Sequence, residues 1–270
     1  MTDRYAVMGN PVAHSKSPLI HAQFARETGQ DLIYEALLVE HGRFPQAVRA
    51  FFAGGGKGLN ITVPFKLEAW ALAEQRSEQA ELAGAVNVLF LDAEGVLQGH
   101  NTDGIGMVRD ITQNHGGVLQ GKSILILGAG GATRGIVLPL LQQRPAGICI
   151  ANRTVSKAQE LVPLFASHGQ VHACGYDDLR GQRFDWVFNA TAASLQGELP
   201  PLPADLLNPM AWCYDLMYAK EPTIFCRWAQ HHGAHRALDG LGMLVEQAAE
   251  SFWLWRGVRP QTAAVLQMLR

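Results

Sequence analysis

The amino-acid sequence predicts an α/β fold of two domains, one of which is a doubly wound parallel sheet. Short apolar runs alternate with amphipathic helical patterns along most of the 270 residues, as in parallel β–α units. One apolar run, Ile124–Leu127, leads into Gly128-Ala129-Gly130-Gly131-Ala132 and then into a helical pattern. This order is typical of the Rossmann-type fold, in which the helix N-terminus binds a dinucleotide pyrophosphate. The alternative is an ordinary turn without a ligand, because glycine is common in tight turns.

The composition is that of a globular chain and argues against several classes of function. Hydrophobic residues make up 48% and charged residues 17%, so the chain can bury a core. A net charge of -2 without a basic stripe argues against nucleic acid or an anionic membrane as a partner. No apolar run approaches the roughly 20 residues needed to cross a bilayer, and the N-terminus lacks a signal-peptide pattern. We therefore expect a cytoplasmic protein.

The cysteines and histidines show no pattern of a disulfide framework or a metal site. The four cysteines contain no C-x-x-C pair, and they are Cys149, Cys174, Cys213 and Cys226. Several lie in or beside strand-like runs, so we expect buried, reduced thiols. The ten histidines lack the spacing of metal ligands, and we expect no metal.

The first 114 residues are expected to form a small α/β domain and the helix that joins it to the second domain. The expected strands are 5–9, 32–39, 59–63 and a hairpin of 84–91 with 96–101, and the expected helices are 17–28, 43–52, one opening at 64, 77–83 and 103–114. Ser17 followed by Pro18 is a helix start, with the serine as N-cap. Capping does not explain Ser15, whose hydroxyl could join an anion site at the helix N-terminus.

Three further residues of this region are candidates for chemistry. Lys66 lies in the first turn of a helix, where a cation is unfavourable, so it is either a solvated surface lysine or a catalytic group. Asn87 has apolar neighbours, and its amide must find a partner in the protein or in a ligand. Asp103 begins a helix, where an N-cap or first-turn acid is the simpler interpretation.

The second half of the chain continues the alternation and indicates which cofactor it binds. The expected strands are 147–151, 171–174, 186–189 and 212–218, and the expected helices are 132–143, one reaching 165, 223–232, one reaching 255 and 262–269. NAD-preferring domains usually end the second strand with an acid. Here Asn152-Arg153-Thr154 follows it, and an arginine there fits a 2′-phosphate, with Thr154 or Ser156 as further donors. This favours NADP over NAD; the alternative is a surface arginine beside a helix cap.

Two more positions belong to this half. Asn189–Ala193 ends a strand in small polar residues, as expected for a loop that faces a cofactor. Gln247 lies beside the apolar face of the helix that reaches Trp255, so it is either a boundary residue or points into a cleft.

Seven segments together resemble the shikimate dehydrogenase family, in the order and spacing of that family over nearly the full chain. They are His14-Ser15-Lys16-Ser17-Pro18, Asn60-Ile61-Thr62-Val63-Pro64-Phe65-Lys66, Gly84-Ala85-Val86-Asn87, Asn101-Thr102-Asp103-Gly104, Gly128-Ala129-Gly130-Gly131-Ala132, Asn152-Arg153-Thr154, and Asp239-Gly240-Leu241-Gly242-Met243-Leu244-Val245 with Gln247. The resemblance implies a substrate domain of residues 1–102, completed by 241–270. It also implies an NADP domain of residues 103–240 and an active-site cleft between the two. The implied reaction is the reversible reduction of 3-dehydroshikimate to shikimate with NADPH, a step towards aromatic amino acids.

The resemblance also implies a role for individual residues. Lys66 and Asp103 would flank the reacting C–O group as the catalytic pair. The substrate would be bound by Ser15 and Ser17 at its carboxylate and by Thr62, Asn87, Tyr218 and Gln247. NADP would be bound by Gly128, Ala129, Gly130, Gly131, Ala132, Asn152, Arg153, Thr154, Ser156, Lys157, Thr191, Leu216 and Gly240.

The sequence departs from the family pattern at three places. In Asn189–Ser194, relatives usually have a serine after the threonine, Asn87 is followed by valine where threonine is common, and Leu216–Tyr218 is a variable strand end. None of these touches Lys66 or Asp103, so they concern the nicotinamide side of the cofactor.

Other functions are compatible with parts of this pattern. One is a quinate/shikimate dehydrogenase of broader specificity, a kind of enzyme that is often able to use NAD. Arg153 and the missing acid argue against the use of NAD, whereas the breadth of substrates stays open. A catalytically silent binding module on the same fold is opposed by the presence of both Lys66 and Asp103. A folate-type NADP dehydrogenase leaves Ser15, Ser17 and Gln247 unexplained. We expect a small-molecule substrate, no nucleic acid or membrane partner, and a monomer or homodimer.

Overall fold

A computed structural model describes residues 2–193 and 197–270 and divides them into two compact units. The first unit joins the N-terminal part of the chain, as far as Gly106, with Leu244–Arg270, and the second is Met107–Met243. The domain boundaries expected from the sequence, after residues 102 and 240, fall a few residues before these.

The elements alternate along the chain as the sequence predicts. The strands are β1 (Asp3–Gly9), β2 (Leu32–Leu38), β3 (Gly56–Ile61), β4 (Gln75–Arg76), β5 (Val88–Leu91), β6 (Leu97–His100), β7 (Ser123–Leu127), β8 (Gly147–Ala151), β9 (Val171–Cys174), β10 (Phe184–Asn189), β11 (Leu207–Asp215) and β12 (Arg236–Leu238). The helices are α1 (Ser17–Thr28), α2 (Phe44–Ala53), α3 (Lys66–Leu72), α4 (Glu78–Ala83), α5 (Asp103–Arg109), α6 (Gly131–Leu141), α7 (Val155–Gln159), α8 (Val162–Phe165), α9 (Ile224–His231), α10 (Leu241–Arg256) and α11 (Ala263–Leu269).

The first unit is built on a mixed sheet with the strand order β2-β1-β3-β5-β6-β4. β1 runs parallel to β2 and β3, whereas β5 is antiparallel to both β3 and β6. It follows that β1, β3 and β6 all end at the same edge of the sheet, and the segments after them start there.

Two apolar clusters stabilise this unit. One packs α2 and α3 against β1 and β3, with Phe44, Phe65 and Leu59 fully buried. The other packs α1 against α10 and α11, through residues such as Phe24 and Phe252. The C-terminal helices therefore complete the core of the N-terminal unit, because α1 buries its apolar face against them.

The second unit is a parallel sheet with the order β12-β11-β10-β7-β8-β9. Numbered from β7, this is the order 3-2-1-4-5-6 of a Rossmann-type doubly wound sheet, so the predicted fold class is confirmed. Such a sheet has its switch point between its first and fourth strands, here β7 and β10, and ligands bind outside the carboxyl ends of the strands there.

Several predicted boundaries are wrong. The strand expected to reach residue 218 ends at Asp215, so Leu216 and Tyr218 lie in the loop that follows. β12 was not predicted, because its three residues carry no period and are held by pairing with β11. The helix expected to reach Phe165 is two short helices, α7 and α8, with a proline near the start of the second. The helix from Asp103 ends in a π-helical turn, Asp110–Asn114.

The start of α1 also differs from the prediction. Ser17 is the first helical residue and not the N-cap; the N-cap is Lys16, which makes no side-chain capping bond. Instead, the Ser15 hydroxyl accepts the backbone N–H of Ser17 at 3.2 Å. Ser15 has taken over a local capping role, and the Ser17 hydroxyl is left for other partners.

All four cysteines are free thiols; three lie in strands, and Cys226 lies in α9. Over residues 2–193 and 197–270, no helix is long and apolar enough to cross a membrane. In the same ranges, no group of three or more His, Cys, Asp or Glu side chains is arranged to hold a metal ion.

Candidate active site

Lys66 and Asp103 form an ion pair at one edge of the first unit's sheet. Lys66 follows β3 and opens α3, whereas Asp103 follows β6 and opens α5, so both start from the same sheet edge. The Lys66 Nζ lies 2.6 Å from the Asp103 Oδ2, and the side chains are 31% and 23% exposed. The pair is therefore accessible to a small molecule while its atoms are held by each other.

Asn87 holds the other oxygen of the Asp103 carboxylate. Its Nδ2 donates to Asp103 Oδ1 at 2.9 Å and to Thr102 Oγ1 at 3.0 Å, and its Oδ1 accepts the Thr102 N–H at 2.9 Å. The side chain of Asn87 is 3% exposed, as its apolar neighbours suggested. Each carboxylate oxygen of Asp103 thus has its own partner, which fixes the orientation of the carboxylate.

Gln247 of α10 faces the same group. Its Oε1 lies 3.4 Å from Asn87 Nδ2, and its Nε2 donates to the Leu244 carbonyl at 2.8 Å. The backbone of α10 comes very close to α5 here, because a Cβ placed on Gly106 would lie 2.5 Å from the Gln247 nitrogen. The Gln247 side chain is therefore directed towards Asn87, which holds the Asp103 carboxylate.

Ser15, Ser17 and Thr62 lie beyond the ends of two neighbouring strands at the same sheet edge. Ser15 and Ser17 follow β1, and Thr62 follows β3, where its N–H donates to the Met8 carbonyl at 3.0 Å. Ser15 and Thr62 are half-buried, and Ser17 is 8% exposed. The structure therefore places the candidate substrate residues of this unit at one edge of one sheet.

Sequence reasoning missed a group of polar residues behind this edge. Asn60 in β3 is 7% exposed, and its Nδ2 donates to the Ser251 hydroxyl at 2.9 Å and to the Asn87 carbonyl at 3.2 Å. Tyr34 donates its hydroxyl hydrogen to Asn60 Oδ1 at 2.7 Å. The argument used for Asn87, that a polar amide in an apolar run needs a partner, would have identified Asn60 as well.

The glycine turn of the second unit has the form of a pyrophosphate site. Gly128 has a φ of +102°, which favours glycine, and its N–H donates to the Ala151 carbonyl at 2.8 Å. A Cβ on Gly130 or Gly131 would meet no atom of the described residues within 4 Å. Gly130 is the N-cap of α6 and offers no side-chain cap, so the first amides of that helix face an open space that an anion can enter.

Thr133 stands where a third glycine is common, and the structure shows what it does there. Its side chain is fully buried, and its hydroxyl donates to the Gly128 carbonyl at 2.8 Å. The threonine therefore ties the helix to the start of the turn and leaves the open side of Gly130 and Ala132 unchanged, since Ala132 is exposed.

The turn after β8 presents the residues expected at a 2′-phosphate. Asn152 is fastened by its N–H to the Cys174 carbonyl at 3.2 Å and by its Nδ2 to the Thr154 carbonyl at 2.8 Å. Arg153 is exposed. Burial raises the pKa of the nearby Tyr176, and the Arg153 guanidinium lowers it only in part. Thr154 is the N-cap of α7 but makes no side-chain capping bond. The first turn of α7 adds two exposed residues, Ser156 and Lys157.

The remaining cofactor candidates meet at the carboxyl ends of β10 and β11. The Thr191 hydroxyl donates to Asn189 Oδ1 at 2.7 Å, and its methyl carbon would lie 3.0 Å from a Cβ on Gly128. A Cβ on Gly240 would lie 2.2 Å from the Leu216 carbonyl oxygen, so only glycine fits there. Thr191 therefore lies beside the glycine turn, at the switch point of the sheet.

Tyr218 differs from the other substrate candidates because it belongs to the second unit. It is half-buried in the loop after β11. Burial raises the pKa of its phenol, and the carboxylate of Asp239 adds to this. Its hydroxyl is thus a neutral hydrogen-bonding group around neutral pH.

Comparisons with known proteins match this architecture along the chain. Residues 7–89 match the model of the shikimate dehydrogenase substrate binding domain, residues 110–196 the model of shikimate / quinate 5-dehydrogenase, and residues 240–270 the model of the shikimate 5'-dehydrogenase C-terminal domain. The shikimate dehydrogenase (NADP(+)) of Alkalilimnicola ehrlichii is 60% identical over 270 residues, which cover 100% of this chain and 99% of that protein. The chain belongs to the shikimate dehydrogenase family.

Solved structures of similar proteins have the same fold as this shikimate dehydrogenase family member. The Ael1 enzyme from Pseudomonas putida superposes with a TM-score of 0.94 at 49% identity, over 99% of this chain and 98% of that one. The shikimate 5-dehydrogenase of Thermus thermophilus, solved in complex with NADP(H) and shikimate, has a TM-score of 0.85 at 33% identity. That match covers 98% of each chain. The family thus includes a structure that holds both a cofactor and a substrate.

Proposed function

We propose that this chain catalyses the reversible, NADPH-dependent reduction of 3-dehydroshikimate to shikimate. The observation that carries the proposal is the Lys66–Asp103 pair, held at 2.6 Å and braced by Asn87 in the unit whose sequence matches the substrate binding domain model. The relative at 60% identity is named shikimate dehydrogenase (NADP(+)), which supports the same reaction here.

The chemistry of a ketone reduction explains why this pair is needed. NADPH supplies the hydride that converts the carbonyl carbon to an alcohol carbon. The oxygen then gains negative charge and needs a proton and a nearby positive group. Lys66 carries both, so it donates a proton from Nζ to the oxygen during reduction and accepts one in the reverse direction. Asp103 holds the Lys66 ammonium and orients the substrate hydroxyl.

The substrate carboxylate and ring hydroxyls are assigned to the residues around this pair. We assign the carboxylate to Ser15 and Ser17 beside the N-terminus of α1, where backbone N–H groups favour an anion. Thr62, Asn87 and Gln247 supply hydrogen bonds to the ring hydroxyls from the same sheet edge. Tyr218 is assigned to the substrate as well, from the second unit.

The second unit fits NADP. The open glycine turn suits the pyrophosphate, because a Cβ on Gly130 or Gly131 has no neighbour among the described residues. Arg153 suits the 2′-phosphate, because it is exposed beside the fastened Asn152. In functional terms we propose residues 1–102 with 241–270 as the substrate domain and residues 103–240 as the NADP domain.

An assay with four substrate–cofactor pairs tests this proposal. Purified protein is given shikimate or quinate with NADP or NAD, and the nicotinamide absorbance is followed. We expect the highest kcat/KM with shikimate and NADP. A higher value with quinate would make the chain a quinate dehydrogenase, and the absence of turnover with all four pairs would overturn the enzyme assignment. The same sample in a sedimentation experiment decides between the predicted monomer and homodimer.

A further inference from the structure

A continuous chain of polar side chains runs behind the candidate substrate residues of the first unit. It begins at the Tyr34 hydroxyl in β2, which donates to Asn60 Oδ1 at 2.7 Å. The Asn60 amide then donates to the Ser251 hydroxyl in α10 at 2.9 Å. Tyr34 and Ser251, which are more than two hundred positions apart in the sequence, are thereby joined through one amide.

At its far end the chain reaches the residues that brace the catalytic pair. Ser251 donates to the Gln247 carbonyl at 2.9 Å, and its Oγ lies 3.4 Å from the Thr102 hydroxyl. The Asn60 amide also donates to the Asn87 carbonyl at 3.2 Å. The orientation of Asn60 is therefore linked to the positions of Asn87 and Gln247, which we assign to the ring hydroxyls.

At its near end the chain reaches a residue that we assign to the substrate carboxylate. Ser17 lies one helical turn before His21 on the buried face of α1, and the His21 ring stacks on the Tyr34 ring, so this face of α1 brings Ser17 towards the phenol. Burial raises the pKa of the Tyr34 phenol well above its ordinary value, and the Ser17 hydroxyl lowers it in part. The phenol is consequently neutral at physiological pH, with one hydrogen to donate and lone pairs to accept. Its hydrogen is used on Asn60, so it can act towards Ser17 only as an acceptor.

His21 of α1 holds the ring of Tyr34 in place by stacking on its face. The two rings stack with centroids 4.1 Å apart and an angle of 4° between their planes. His21 is 1% exposed, and burial lowers its pKa to about 3, so this is a neutral ring. The stack restricts the phenol to one position and leaves little freedom for its hydroxyl to follow a different partner.

We propose that Tyr34 is a positioning residue that sets the Ser17 hydroxyl and the Asn60 amide at the same time. It does not touch the reacting atoms, and it acts through these two neighbours. Ser17 is assigned to the substrate carboxylate, and Asn60 contacts the residues assigned to the ring hydroxyls. One phenol therefore fixes the distance between the groups that bind these two parts of the substrate. The inference rests on the proposed function, since it assumes a substrate that carries a carboxylate and ring hydroxyls.

The test removes only the hydroxyl of Tyr34, and its control removes the hydroxyl of a second tyrosine in the same sheet. Tyr5 is the matched position, because it pairs with Tyr34 in register across β1 and β2. Its hydroxyl accepts from Arg256 at 3.3 Å, away from the Asn60 chain. In Tyr34→Phe we expect the KM for shikimate to rise about five- to tenfold, the effect of losing about one hydrogen bond, with kcat and the KM for NADP nearly unchanged. Tyr5→Phe should leave all three constants close to those of the wild type.

A second variant tests whether the effect passes through Asn60. Ser251→Ala removes the partner of Asn60 at the other end, so it should also raise the KM for shikimate. The effects of Tyr34→Phe and Ser251→Ala should then be less than additive in the double variant, because both act on one amide. If Tyr34→Phe does not fold, Ser251→Ala measured by the same constants decides the question.

The outcomes separate this inference from the proposed function. An unchanged KM for shikimate in a folded Tyr34→Phe overturns the inference, and so does a large fall in kcat at constant KM, which would make Tyr34 part of the chemical step. Equal effects on the KM in Tyr34→Phe and Tyr5→Phe would indicate a general loss of stability, and this result would also overturn the inference. Failure of the proposed function would instead appear as no turnover in the wild type.

Discussion

Lys66 shows how a residue in an unfavourable place is stabilised by its neighbours. The N-terminus of α3 disfavours a cation, yet the Asp103 carboxylate lies 2.6 Å from the ammonium and compensates for it. Asn87 in turn holds that carboxylate from the opposite side. The two side chains are thus held in fixed positions, which suits the acid–base role that we propose for Lys66.

The Lys66→Ala variant should lower kcat much more than it raises KM. A positioned acid–base group contributes about 10²- to 10⁴-fold to the rate, and we expect a fall of that size in kcat. Steady-state kinetics with shikimate and NADP provide the measurement. Lys57→Ala is the control, because Lys57 is exposed in β3 of the same unit. A change in KM alone would make Lys66 a binding group without a catalytic role.

The buried His21 should make the stability of the first unit fall at acidic pH. Its folded-state pKa of about 3 lies below the ordinary value of 6.5, so the unfolded chain binds a proton that the folded chain does not. The contribution of His21 is complete above pH 6.5 and is lost progressively as the pH falls towards 3. Around pH 5 the loss is about 2 kcal/mol in the free energy of unfolding.

Urea unfolding at about pH 7 and about pH 5 measures this contribution. His21→Phe keeps a ring against Tyr34 but cannot be protonated, so the variant should lose about 2 kcal/mol less than the wild type between the two pH values. Any overpacking by the larger ring cancels in this difference. An equal loss in both proteins would show that His21 is not the acid-sensitive group.

At the scale of elements, the turn between β8 and α7 is the part that we propose distinguishes NADP from NAD. Its backbone is fastened to β9 through the Asn152 N–H, and Arg153 projects from it into solvent. The position of the arginine is thus set by strand pairing, while its guanidinium is available to a ligand.

Arg153→Ala should raise the KM for NADP about tenfold or more and change the KM for NAD little. A hydrogen-bonded charge pair contributes about 1.5–3 kcal/mol, and only NADP carries the 2′-phosphate. Kinetics with both cofactors measure the difference. Arg183→Ala is the control, because this exposed arginine precedes β10 and so lies at the opposite edge of the sheet. Equal losses for both cofactors would reject the 2′-phosphate role.

Elements with strong local signals could be predicted closely from the sequence. The helix from Ser17 to about Thr28 ends at Gly29 as expected, because this glycine adopts a φ of +65° that caps the helix. The strand Gly147–Ala151 was also predicted with its observed bounds. β12 and the end of β11 at Asp215 could not be predicted, because pairing with a distant strand defines them and no local period does.

The residues of the candidate site also divide into those that the sequence could identify and those that it could not. Lys66 and Asn87 could be singled out because each is an unusual residue for its place in the chain, whereas an acid at a helix start is ordinary and Asp103 was singled out by the family resemblance. Tyr34 and Ser251 could not be singled out, since an aromatic residue in a strand and a serine in a helix are ordinary locally. Their partners lie in other elements, as with Asn60 and Ser251, which are 191 positions apart. The catalytic and binding roles of all these residues stay predictions.

At the scale of the whole molecule, the first unit is discontinuous and the second is not. The apolar face of α1 is covered by α10 and α11, where Phe252 and Val265 are fully buried against Phe24. The stability of the N-terminal unit is therefore set partly by the last 27 residues, Leu244–Arg270.

Phe252→Ala should destabilise the first unit selectively. Removing a buried phenylalanine costs about 3–5 kcal/mol, which is a large part of a domain's stability. Calorimetry should show a lower midpoint for one transition only. Phe165→Ala provides the comparison, because Phe165 is equally buried in the second unit and should lower the other transition. A uniform shift of all unfolding in both variants would mean that the two units unfold together.

The discontinuity of the first unit has a consequence for the order of events on the ribosome. The second unit is contiguous and can fold soon after Met243 has emerged, whereas α1 must wait for helices that follow the second unit in the chain. Roughly 160 residues separate Gly106 from Val265, which at about 5–20 residues per second means a delay of about 10–30 seconds. During that time the surfaces of Ile20 and Phe24 are without their final partners. The unit that carries Lys66 and Asp103 is thus translated before most of the second unit and becomes native after it.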